Sequence, residues 1–218
     1  MAKVRSILKL SGTISGMTFV DSKAYGAHNR AKRGTYTPIT LAEGMKESAS
    51  VQTQVNLMAK VIFDAVNDFV PGFKDGKFWS RLLSVFRQQK KAGNGYKYED
   101  FNLMEMRKDY PSTKFGTFRL TKVGDDEIHL SYILFKTLKC RLRLLRIATD
   151  QTLLNAYPLE VFSVDIVDET KMNSMPVEFS VLPAEACSLY VVHCELLING
   201  KANGLVRDSS VNFLTVNI

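Results

Sequence analysis

The spacing of apolar residues changes near Phe115, and this change constrains the fold more than any other feature of the sequence. Between about residues 41 and 106, apolar residues recur every three or four positions, which is typical of amphipathic helices. Beyond Phe115 they alternate with polar residues, which is typical of strands. We therefore predict an α+β protein with two parts, a ribbon and helical region over residues 1–114 and a strand-rich domain over residues 115–218.

The helical region is bounded by strong stop signals. Pro71-Gly72 ends the first periodic segment, and Gly93-Asn94-Gly95 ends the second. A third segment stops before Pro111. The sequence thus predicts helices over residues 41–70, 78–91 and 98–106.

The strand-rich half carries turn residues at short, regular intervals. This spacing favours an antiparallel β-sandwich, and we predict an immunoglobulin-like topology. In the third strand Cys140 and Leu142 alternate with Arg141 and Arg143, which predicts one buried and one solvated face, and the pair Leu144-Leu145 predicts a bulge. The predicted strands cover residues 117–123, 127–135, 139–147, 159–167, 177–182, 189–198 and 211–218.

A glycine-rich stretch over residues 12–34 precedes the helices. Apolar residues alternate from Gly12 to Val20, and we predict one strand there, entering a small β-ribbon. Tyr25-Gly26 predicts a turn into a basic return segment.

Positive charge is concentrated in the N-terminal half. The net charge is +7, and residues 1–114 contribute +9, with 19 Lys and Arg against 10 Asp and Glu. The remaining residues contribute −2. This asymmetry indicates either an anionic partner, such as nucleic acid or an acidic protein surface, or a solubilising surface charge. The candidate contacts are Arg30, Lys32, Arg33, Arg81, Arg87, Lys90 and Lys91.

Motifs that carry chemistry are missing from the sequence. The histidines are far apart, and the spacing of His193 and Cys194 puts them on opposite faces of one strand. Neither a nucleophile–base motif nor a phosphate-binding loop occurs. We expect no enzyme activity, cofactor, metal or small-molecule substrate. The cysteines lack a C-x-x-C pair, which predicts free buried thiols, and no apolar run of membrane-spanning length occurs.

The N-terminal stretch resembles a family of small virion structural proteins of tailed phages and prophages, and proteins of Bacteroidetes genomes share its plan. There a ribbon of the type G-x-I-x-G-x-x-F leads to a Tyr-Gly turn, a basic arm and a helix, with an immunoglobulin-like sandwich at the C-terminus. The detailed likeness covers about residues 10–70. The matching residues are Gly12, Ile14, Gly16, Phe19, Tyr25, Gly26, Arg30 and Arg33.

What the resemblance implies is a non-enzymatic structural protein of the neck or tail, such as a head–tail connector ring. It would be made in the host bacterial cytoplasm and would assemble with itself and with other virion proteins through those eight residues. Two alternatives remain open. One is a nucleic-acid-binding module that uses the basic half, and the other is a carbohydrate- or receptor-binding sandwich with Tyr157 as an exposed aromatic residue.

Overall fold

The computed structural model of this protein describes residues 2–3, 12–22, 26–31, 42–93, 95–123, 127–135, 139–167 and 172–217. These residues form two compact units, Met1–Lys46 and Glu47–Ile218. The fold is mixed helix and sheet with mostly antiparallel strands, as predicted. The predicted division at residue 114 stays a prediction.

Two α-helices lie in the described part of the chain, α1 (Glu43–Phe69) and α2 (Phe78–Ala92). The strands are β1 (Ala2–Lys3), β2 (Gly12–Ile14), β3 (Met17–Ser22), β4 (Gly26–Ala31), β5 (Gly116–Val123), β6 (Glu127–Leu134), β7 (Cys140–Thr149), β8 (Glu160–Ile166), β9 (Met172–Val177), β10 (Cys187–Ile198), β11 (Lys201–Ala202), β12 (Ser209–Leu214) and β13 (Val216–Asn217). Short 3₁₀ turns cover Glu99–Phe101, Ser112–Lys114 and Val206–Asp208.

The second unit contains two sheets that face each other. One has the order β11-β10-β7-β8, with β12 also paired to β10, and the other has the order β13-β5-β6-β9. Their inner faces share one apolar core, to which Leu120 and Leu130 contribute from one sheet and Leu142, Leu144 and Val192 from the other.

The helices cover the opposite face of the β10–β7 sheet. Phe78 of α2 stacks on Phe213 of β12, with ring centroids 6.0 Å apart. Ile147 and Val191 belong to the same core as α1 and α2. The strands β7, β10 and β12 therefore contribute to a core on each of their faces, and the second unit has three layers.

Burial on both faces explains why the predicted bulge in β7 is wrong. The pairing of β7 with β8 runs without interruption through Leu144↔Phe162 and Leu145↔Val161. Leu144 points into the core between the sheets, and Leu145 points toward the helices. Because both sides are apolar, two consecutive leucines need no change of register. The predicted alternation holds at the start of β7, where Cys140 and Leu142 are buried and Arg141 and Arg143 are partly exposed, and it ends at Leu145.

The predicted third helix is also wrong, because its residues pair with a strand. Only Glu99–Phe101 is helical there. The backbone N–H of Leu103 donates to the carbonyl of Phe213 at 2.8 Å, and that of Met106 donates to Val211 at 2.9 Å. The free edge of β12 thus satisfies these backbone groups, which a helix would otherwise satisfy internally.

The predicted strand over residues 177–182 lies too late in the chain. The observed strand β9 ends at Val177 and contains Pro176, which pairs opposite His129. β9 is an edge strand of its sheet, where proline is tolerated because no ladder hydrogen bond is required on the open side.

Arg143 and His193 lie opposite each other in the sheet beneath the end of α1. The guanidinium of Arg143 lies 4.5 Å from the Phe69 ring centroid, and its Nη1 donates to the Phe69 carbonyl at 3.5 Å. His193 is 4% exposed and packs against Phe69 and Phe73. Burial, with a smaller contribution from the charge of Arg143, lowers the pKa of His193 to about 4.

This histidine makes stability depend on pH. The unfolded chain binds a proton near pH 6.5, whereas the folded protein keeps the imidazole neutral down to about pH 4. The free energy of unfolding therefore has its full value above pH 6.5 and decreases as the pH is lowered further. Between pH 7 and pH 5 it decreases by about 2 kcal/mol. Urea unfolding of the wild type and of His193→Leu at both pH values measures this change. We expect the difference in unfolding free energy between the two pH values to be much smaller in the variant. A variant with the same pH dependence as the wild type would show that His193 is not its source.

Candidate assembly interface

The ribbon, defined here as β2, β3 and β4, is a β-meander. A two-residue turn connects β2 to β3. Ser15 and Gly16 both have positive φ, 47° and 80°, as a type I′ hairpin turn requires. Ile14 and Met17 pair on either side of it. The single strand predicted from Gly12 to Val20 is therefore two strands, and Gly16 is a turn residue.

Pairing across the ribbon places its largest apolar side chains on one face, which we call the apolar face. Ile14 lies opposite Met17 and Gly12 lies opposite Phe19, so these four residues share it. The register adds Asp21, Ala27, Asn29 and Ala31 to the same face. The register places Thr13, Thr18, Val20, His28 and Arg30 on the other face.

Two large apolar side chains of this face are exposed. Ile14 is 59% exposed and Met17 is 42% exposed. None of the side chains described within residues 12–21 and 26–31 is buried. A small sheet normally needs an apolar face packed against another layer to be stable. The described residues of the ribbon thus have the residue pattern of a sheet with a packed face, but Ile14 and Met17 on that face are exposed.

The eight residues predicted for the subunit interface are distributed over this ribbon. Gly12, Ile14 and Phe19 lie on the apolar face, whereas Arg30 lies on the polar face, Gly16 in the turn and Gly26 at the start of β4. Tyr25 and Arg33 lie outside the described residues, as does Lys32. The interface prediction omitted Met17, which only the two-residue turn places beside Ile14.

The basic residues of α2 occupy two different environments. Arg87, Lys90 and Lys91 are exposed, and Arg87 donates to the side-chain oxygen of Gln52 at 2.7 Å. Arg81 is instead engaged within the chain. Its Nη1 donates to both carboxylate oxygens of Asp75, at 3.0 and 2.9 Å, and its Nη2 donates to the carbonyls of Glu105 and Met106.

These hydrogen bonds, which we call the Arg81 network, connect α2 to the segment that pairs with β12. Burial by itself would raise the pKa of Asp75, but the hydrogen bonds from Arg81 and from the backbone of Lys77 and Lys108 hold it below its ordinary value. Asp75 therefore stays ionised and paired at neutral pH. Arg81 has a structural role here, and the accessible cations of α2 are the other three.

We expect Arg81→Met to lower the free energy of unfolding by about 3 kcal/mol, because it leaves the Asp75 carboxylate and two carbonyls without their donor. Lys90→Met is the matched control on the same helix and should change it by less than about 0.5 kcal/mol. Urea titrations monitored by circular dichroism compare the two variants. Equal changes in the free energy of unfolding of the two variants would show that the Arg81 network does not stabilise the packing of α2.

Other chemistry is sparse in the described part of the chain. No group of three His, Cys, Asp or Glu side chains comes together there as a metal site. Cys140 and Cys194 are buried free thiols, and Cys187 is half-buried and free.

Tyr157, the candidate for carbohydrate contact, is half-buried. None of the described helices is both long and apolar enough to span a membrane.

Comparison with protein-family models, with curated proteins and with solved structures finds no match to this chain.

Proposed function

We propose that this protein is a non-enzymatic virion structural protein, a neck or tail component such as a head–tail connector ring, that assembles through its N-terminal ribbon. The observation that carries the proposal is the exposure of Ile14 and Met17 on the face that they share with Phe19. The resemblance of residues 10–70 to phage structural proteins supplies the biological setting.

A second copy of the chain is the occupant that we propose for this face. Covering a large apolar side chain contributes roughly 1.5–3 kcal/mol, so a few residues per copy suffice for a contact that is repeated around a ring. If the ribbon of one copy packs on the body of the next, every copy both donates and receives a ribbon, and a closed ring satisfies all of them.

We further propose that the two facing sheets have immunoglobulin-like topology. The order β5-β6-β9 corresponds to strands A, B and E of such a domain, and the order β12-β10-β7-β8 corresponds to G, F, C and C′. Thr215 separates β12 from β13, which pairs in parallel with β5. The last strand thus joins both sheets, and this supports a stiff body suited to a ring subunit.

Light scattering of the full-length protein tests the assembly. We expect a discrete oligomer for the wild type and its dissociation in Ile14→Asp/Met17→Asp, since each aspartate places a charge in the apolar contact. The apparent dissociation constant should rise by at least about a hundredfold, which corresponds to about 2.7 kcal/mol.

The control is Val181→Asp, which places one aspartate at an apolar residue that is 83% exposed in the second unit. It should leave the mass unchanged. A monomeric wild type, or equal dissociation in the control, would refute assembly through the ribbon.

Nucleic-acid binding is a second candidate function, favoured by the exposed cations Arg87, Lys90 and Lys91 near the end of α2 and by Arg30 on the polar face of the ribbon. If these residues contact phosphates, the affinity for a labelled DNA duplex falls steeply between 50 and 200 mM salt, by roughly tenfold or more for a few contacts. Fluorescence anisotropy with Lys90→Glu/Lys91→Glu measures their contribution. Binding that is indifferent to salt would exclude this role.

A further inference from the structure

A cavity of about 490 Å³ lies in the second unit, at the end of the facing sheets where β10 begins. We call it the mouth cavity. Phe179 and Ser180, on the connection between β9 and β10, line one side, and Tyr96 and Tyr98 line another. Its volume is within the range of small-molecule sites, which occur in the mouths of β-barrels and sandwiches.

Aromatic side chains form much of the wall. The rings of Phe179 and Tyr190 lie 6.0 Å apart and are tilted by 38°. Val177 and Val216 add aliphatic surface beside them. These groups suit the flat, apolar body of a ligand.

A buried arginine is held rigidly at this wall. Arg146 is 6% exposed, and its guanidinium lies 4.8 Å from the Phe179 ring centroid. Its Nη2 donates to the Glu160 carboxylate and, at 2.8 Å, to the carbonyl of Ser180. Burial raises the pKa of Tyr190, so its hydroxyl keeps its proton at neutral pH.

Cations and carboxylates both border the cavity. Arg146 is offset by Glu160, and Lys97 and Lys122 line the exposed edge. Burial raises the pKa of the lining Cys187, and the charges of Glu99 and Asp150 add to that shift. Lys122 follows Leu120 by two residues in β5, and so its side chain extends from the face that contributes to the core between the sheets. An anionic group that lies beside Lys122 is attracted by its ammonium group.

We propose that the mouth cavity binds a small aromatic organic anion, such as an aromatic carboxylate or sulfonate. The ring packs against Phe179 and Tyr190, and the anionic group lies toward Lys122 and Lys97. This site lies within the second unit and does not depend on assembly through the ribbon.

Fluorescence titration with 8-anilinonaphthalene-1-sulfonate tests the proposal, with the neutral analogue N-phenyl-1-naphthylamine as comparison. We expect one saturable site per chain for the sulfonate. The neutral analogue should bind at least about tenfold more weakly, because it lacks the group that the ammonium groups of Lys122 and Lys97 attract.

Variants locate the site. Lys122→Glu should weaken binding of the sulfonate at least about tenfold, and Phe179→Ala should weaken both dyes. Lys201→Glu makes the same charge reversal in β11, which pairs with the opposite end of β10, and should have no effect. Ile14→Asp/Met17→Asp should bind as the wild type does, which separates the cavity from the apolar face of the ribbon.

Equal affinity for the two dyes, or binding that Lys122→Glu and Lys201→Glu change alike, would overturn the proposal. Binding without saturation would also overturn it, since it would indicate adsorption to apolar surface. The exposed Lys122 keeps the test informative if Phe179→Ala fails to fold, and thermal unfolding of each variant reports its folding.

Discussion

The antiparallel pairing of β7 with β10 supports the rest of the second unit. It runs from Thr149↔Cys187 to Cys140↔Leu196, and each of its faces is covered by a different layer. Helices pack on one side of these two strands and a second sheet packs on the other. Loss of the pairing would therefore disrupt both apolar cores. Polar residues within it are accommodated individually. Arg146 pairs with Glu160, Glu195 accepts from the backbone of Gly204 at 3.0 Å, and His193 has its pKa lowered so that it stays neutral.

The ribbon has the opposite character. Its pairing places Ile14, Met17 and Phe19 on one face, and Ile14 and Met17 are exposed there. If the ribbon packs on a second copy, as we propose, the second unit with its two cores can fold before that contact is made.

The three-layer arrangement also explains why a buried arginine lies at the mouth cavity. Arg146 is on the face of β7 that points into the core between the sheets, at the end where that core opens. A residue at the middle of the strand would be enclosed by apolar side chains, whereas at the opening a guanidinium can be held by Glu160 and still border a space large enough for a ligand. The ribbon and the cavity lie in different units, so each can be altered without changing residues of the other.

The sequence by itself determined the elements whose signals are local. Pro71-Gly72 and Gly93 mark the ends of α1 and α2, and period-two alternation identified β5, β6, β7 and β10 to within about two residues. It named Ile14 and Phe19 as interface residues, but the single strand predicted there would put them on opposite faces, and only the turn at Ser15-Gly16 brings them to one face. Tertiary structure alone decided that Leu144-Leu145 is a regular strand between two cores, that residues 103–106 pair with β12, and that Arg81 is bonded within the chain. Each of these depends on a partner far away in the sequence: the helices, β12 and Asp75 with the Glu105 and Met106 carbonyls. A local pattern records the tendency of a segment, but the partner that satisfies its backbone and covers its side chains is supplied only by the fold.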